Sequence, residues 1–155
     1  MSKWITKILA LILICALIPS AYASESTPPA DQISDNLSFS HYEWQNPARD
    51  GDFTITYVES GISAVSSGVY ISGMTMASKS VTMVGGIASI QYWEDNTWKT
   101  YTQLSFQALQ ATECELSRTV SVPGGFYYRL KITHTAEISV DIVTKVSTTQ
   151  AVYVN

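Results

Sequence analysis

The chain has 155 residues, with 9 basic and 13 acidic side chains, a formal charge of −4 and only 14% charged residues. That balance leaves no basic footprint for nucleic acid and no attraction to an anionic membrane surface. Of its two cysteines, Cys15 lies in an N-terminal apolar run, so the rest of the chain holds Cys114 alone and no intrachain disulfide.

Residues 1–23 have the three parts of a secretory signal peptide. Lys3 and Lys7 form a positive start, residues 8–18 are an unbroken apolar run, and Pro19 and Ser20 break it. Ala21 and Ala23 then give the small-x-small pattern of signal peptidase, which predicts a cut between Ala23 and Ser24. The apolar run is too short for a membrane span, which needs about 20 residues. Cys15 is no lipid-attachment site, because Ile14 precedes it and it sits inside the run. Cleavage leaves about 132 residues of net charge about −6, enough for one domain and without a membrane span.

Serine and threonine make up about a quarter of what remains, and strand formers outnumber helix formers. Residues 24–51 read as a flexible or irregular lead-in, with a Pro28-Pro29 pair and turn residues near Asn46, Pro47 and Gly51. Its later part is expected as an irregular cover or edge. From Asp52 to Asn155 short alternating runs follow one another. Phe53, Ile55 and Tyr57 are expected on one face, and Ser66, Ser67 and Gly68 as a turn. Val69, Ile71, Met74 and Met76 are expected to point inward, with a bulge at Gly73, and Gly85-Gly86 is expected as a bulge or bend in a long strand. Residues 94–97 (EDNT) predict a hairpin turn, with Trp93 and Trp98 facing across it. Residues 106–112 are expected as a loop with one turn of helix. Residues 114–122 return as a strand, and Pro123-Gly124-Gly125 turns the chain. Tyr128, Leu130 and Ile132 then face in, while Tyr127, Arg129, Lys131 and Thr133 face out. Residues 138–142 and 150–154 supply the last strands. About seven or eight strands with turns between them predict an all-β domain, an antiparallel β-sandwich, with a barrel as the alternative.

The Tyr128-x-Leu130-x-Ile132 run after Pro123-Gly124-Gly125 resembles the penultimate strand of immunoglobulin-like and fibronectin type III-like sandwiches. The resemblance implies that Tyr128 pins the preceding crossover through its hydroxyl, as in a tyrosine corner. Leu130 stands where antibody domains keep a cysteine, and their inward tryptophan has no clear match. Residues 61–155 also resemble an uncharacterised group of small exported proteins of spore-forming Gram-positive bacteria, a domain of unknown function. The matching features are VYISG, the W-x-x-x-x-W-K-T hairpin and VPGGFYYRLKITHT. This resemblance implies secretion and a β-sandwich, and brings no catalytic residues.

Chemistry is sparse. His41 and His134 lack the spacing and companions of a zinc site, and His134 reads as a strand-edge residue. No serine stands in a G-x-S-x-G elbow. Cys114, between Glu113 and Glu115, reads as a buried or half-buried strand cysteine with a raised pKa. The carboxylate pairs Asp50/Asp52, Glu94/Asp95 and Glu113/Glu115 sit in turns or at strand ends, where solvated acids belong, and a calcium loop at Asp50 would need more oxygens in series. Aromatic residues are the remaining signal. Trp93, Trp98 and Tyr127 are the candidates for stacking on a ligand, with core or hairpin packing as the competing role. The expectation is therefore a secreted, non-enzymatic binding or interaction module without a cofactor. Its partner would be cell-wall polysaccharide or another secreted or surface protein, and not nucleic acid. A secreted antimicrobial or toxin-like effector is the alternative.

Overall fold

The computed structural model describes residues 27–43 and 53–155, with Tyr42 and Glu43 described as backbone only. The expected signal peptide, its cleavage residues Ala21, Ala23 and Ser24, Trp44 and the Asp50/Asp52 pair lie outside these residues.

The described chain is all-β apart from one 3-10 turn, Ala30–Gln32. Seven strands, β1 (Leu37–Glu43), β2 (Ile55–Val65), β3 (Gly68–Glu94), β4 (Thr97–Val120), β5 (Phe126–Ile138), β6 (Asp141–Thr148) and β7 (Val152–Val154), form one antiparallel sheet. The main path runs β1-β2-β3-β5-β6, with β4 beside β3 and β7 beside β5. The sheet therefore takes in β1, upstream of Asp52. Of the later part of the lead-in, expected as an irregular cover or edge, Leu37–Glu43 is an edge strand.

β3 organises everything. Its first part pairs with β2 from Gly68 to Ala77, and its last part pairs with β5 from Met83 to Tyr92. β4 pairs along both parts. Because β4 holds one edge of β3, β2 and β5 must share the other edge in succession. They nevertheless touch each other, and β2 also touches β6 and β7. The sheet is thus curled on itself. The corner is a register shift in which residues 77–80 of β3 face Thr112 alone, between the pairs Met76↔Glu113 and Val81↔Ala111. Such extra residues bend and twist a strand. On β4 the backbone of Gln110 adopts φ 53° at the same corner.

Two apolar clusters fill the curl. Ile62, Ile71, Ile90, Tyr128, Leu130 and Ile132 anchor the larger, and Ile55, Val58, Val81 and Val84 the smaller. The inward run Tyr128, Leu130, Ile132 is as the alternation predicts, at 1% exposure or less. Where the two parts of β3 come face to face, Gly73 leaves room for Ile132: a Cβ there would lie 2.5 Å from Ile132 Cδ1.

Several sequence expectations are corrected. Gly73 stays in register with Ser60 and Leu116, so it is no bulge. The phase continues through buried Thr75 and Ala77, leaving Met74 and Met76 only half-buried. In β2 an extra residue at Thr56 shifts the phase, so Val58 and Ser60 follow Ile55 into the core and Tyr57 does not. Residues 106–112 belong to β4, because pairing with Val81, Met83 and Val84 holds them extended. Residues 138–142 are not a strand: Ile138 pairs with Asp141 around a two-residue turn, Ser139-Val140, with Ser139 at φ 57°. The 94–97 turn forms as expected, with Asp95 and Asn96 both left-handed at φ 53° and 59°, the requirement of a type I′ hairpin.

Candidate ligand-binding surface

Alternation puts Trp93, Gln91 and Ser89 of β3 on the outer face, opposite buried Ile90 and Ala88. Trp98 lies directly across from Trp93. Their rings meet at 5.1 Å between centroids with 62° between planes, the cross-strand contact that the hairpin predicted. On β5, Tyr127 lies one step beyond the last β3–β5 pair, Tyr92↔Tyr128, which puts it opposite Trp93. Tyr127 in turn pairs with Tyr153 of β7, ring centroids 5.0 Å apart. The result is a lateral row, Tyr153–Tyr127–Trp93–Trp98, across four neighbouring strands. At about 4.8 Å between strands it runs for about 14 Å. Trp93, Trp98 and Tyr127 are half-buried, and Tyr153 is exposed.

Polar groups fix this row. Trp98 Nε1 donates to Gln32 Oε1 at 3.1 Å, tying the 3-10 turn to the sheet face. The Arg129 guanidinium lies over the Trp98 ring at 4.2 Å, a cation–π contact. Arg129 Nε donates to Gln91 Oε1 at 2.9 Å. The Trp93 Nε1–H is buried without an acceptor among the described residues. At the Tyr153 end, an open cleft of about 350 Å³ lies between Asn36, residues 64–66 and the C-terminal Tyr153, Val154 and Asn155.

All three aromatic residues singled out from sequence therefore meet on one surface. Tyr153 was one of the wider set of aromatic residues, and Arg129, Gln91 and Gln32 were not singled out as binding residues. The outward phase of Arg129 was legible, but its place opposite Gln91 and over Trp98 depends on strand register.

A second polar group is closed inside. His134 is fully buried in the middle of β5, which corrects its reading as a strand-edge residue. Thr75 Oγ1 donates to the Gly85 carbonyl at 3.0 Å, so its lone pair takes the proton of His134 Nδ1 at 2.7 Å. His134 Nε2 then accepts from the Ser147 hydroxyl at 2.7 Å. A serine–histidine contact of this length is that of a nucleophile and its base. Here Ser147 is 1% exposed, and the third group is a neutral threonine in place of a carboxylate. Burial pushes the His134 pKa down to about 4, which keeps the ring neutral. The trio links β3, β5 and β6, and all three side chains are buried.

Cys114 packs half-buried against both clusters, and its pKa is raised by desolvation first and by Glu115 second. Among the described residues no three metal-ligating side chains come together. No protein-family model matches the chain, no curated protein is similar to it, and no solved structure matches it.

Proposed function

We propose that this protein is exported, loses its leader after Ala23, and acts outside the cell as a non-enzymatic binding module. Its ligand is a cell-envelope glycan or the surface of a secreted protein. On this reading the curled sheet is a sandwich of the immunoglobulin-like or fibronectin III-like kind. The hydrogen bond from Tyr128 Oη to the Pro123 carbonyl, 2.8 Å, supports it, being the contact of a tyrosine corner.

One observation carries the binding reading: four aromatic side chains stand in a straight row across four strands of one outer sheet face. Aromatic rings spent on a core point inward, as Tyr128 does. A row that keeps partial exposure on a rigid sheet offers flat apolar surface at little entropic expense, which suits stacking on sugar rings or anchoring a partner.

Retention of the purified protein on cell-wall material tests this. The wild type is expected to be retained. Trp93→Ala and Tyr153→Ala should each weaken retention by roughly tenfold, the usual scale of one stacked ring. Equal retention of both variants, with folding confirmed by circular dichroism, would sink the reading.

A further inference from the structure

The aromatic row has a charged flank. Arg129 and Lys131 stand two residues apart on the outer face of β5, beside Tyr127. Among the described residues neither Arg129 nor Lys131 forms an ion pair, whereas Lys99 pairs with Glu94 and Asp95. Those acids belong elsewhere: Glu94 follows outward-facing Trp93 and so lies on the opposite face, with Lys99. Around Arg129 and Lys131 the outer-face positions of the sheet are Ser89, Gln91, Thr100, Tyr127, Thr133 and Thr148, none of them acidic, and the 3-10 turn tied to this face at Trp98 carries one acid, Asp31, which forms no ion pair with Arg129. In a chain of net charge −4, this patch is locally basic.

Arg129 is also held in place. The Trp98 ring supports its plane, and Gln91 takes its Nε–H. Both Nη groups keep their four N–H donors unspent among the described residues. A half-buried guanidinium has lost part of its hydration, and desolvation lowers its proton affinity with no carboxylate to offset it. A preorganised fork of this kind matches one chemical group well, the planar carboxylate, by two parallel N–H···O bonds.

We propose that Arg129, with Lys131 beside it, binds the carboxylate of an acidic sugar whose ring lies along the Tyr127–Trp93 row. This rests on the glycan reading above and specifies its ligand as a carboxylated polysaccharide. Binding to such a polymer weakens as salt rises, because part of the attraction is ionic.

The test uses three immobilised probes: polygalacturonate, its methyl ester and polyphosphate. The protein should be retained on polygalacturonate and released by salt, and the ester should bind roughly tenfold more weakly, the scale of a lost charge-assisted hydrogen-bond pair. Arg129→Met should abolish the preference for the acid over the ester. Arg129→Lys should be intermediate, since it keeps charge without the fork. Lys131→Met, at an exposed position, should fold normally and weaken acid binding by a smaller factor, so a folding defect at Arg129 would not shield the idea. Equal retention of acid and ester overturns the carboxylate assignment and leaves the stacking row standing. Stronger retention on polyphosphate overturns it in favour of phosphate. Failure on all three probes overturns it too, and wall retention sensitive to Trp93→Ala would then show that the aromatic surface binds something else.

Discussion

At the scale of single residues, His134 decides how the fold responds to acid. It is neutral, fully buried and bonded on both ring nitrogens. Its folded pKa of about 4 lies below the ordinary 6.5 of an unfolded chain. A base with a depressed folded pKa is protonated preferentially in the unfolded state. Its contribution is therefore constant above about pH 6.5, and it is lost as pH falls from there to about 4, by about 3 kcal/mol in all. Urea unfolding at a series of pH values should show this slope, and His134→Gln should flatten the part between pH 6.5 and 5, where few carboxylates titrate. An unchanged slope in the variant would mean that other groups carry the acid sensitivity. Ser60 is a different matter: among the described residues its hydroxyl is buried in β2 without a partner, a local cost to stability that the core tolerates.

At the scale of elements, β3 and its glycines set what the sheet can do. A Cβ at Gly85 would collide with the carbonyl oxygen of Phe106, a backbone atom fixed in the neighbouring strand. At Gly73 the obstacle is the tip of the Ile132 side chain, which has rotamers to spare. Gly85→Ala should thus cost about 3 kcal/mol or prevent folding, and Gly73→Ala should cost nearer 1 kcal/mol, within the range of overpacking. Thermal melts of the two variants check the order; the reverse order would contradict the sheet geometry. Turn chemistry was the most legible part of these elements, since Asp95 and Asn96 are residues that tolerate left-handed backbone. Strand length was not. The bulge read at Gly73 does not exist, and pairing runs in register through Gly85-Gly86, where glycine answers close packing against the neighbouring strand. The real corner at residues 77–80 carries Ala77, Ser78, Lys79 and Ser80, with no glycine, proline, asparagine or aspartate to mark it.

At the scale of the whole molecule, the curl leaves one long edge open. β4 pairs only with β3 among the described residues, along all of Thr97–Val120. Between Thr100 and Thr112 it holds no charge, proline or glycine, the devices that usually blunt a free edge. Leu109 stands 66% exposed on it. Concentrated protein should therefore self-associate, and Ser105→Lys should suppress this without changing the melting temperature by more than a few degrees. Light scattering against concentration measures it, and an unaltered response in the variant would place the contact elsewhere.

The sequence by itself determined the strand class, the hairpin at 94–97 with Trp93 facing Trp98 across it, the inward face of β5 and the outward Tyr127. These are local matters: alternation has a period of two, and left-handed turns accept few residue types. Tertiary structure decided the rest. Whether the outward aromatics formed a row depended on the register of β3 against β4, β5 and β7, which no single strand encodes. The same register put Gln91 and Trp98 around Arg129, and the curl carried His134 from an apparent strand end to the centre between Thr75 and Ser147. Residues 59 and 13 positions apart meet there only because the sheet folds over on itself.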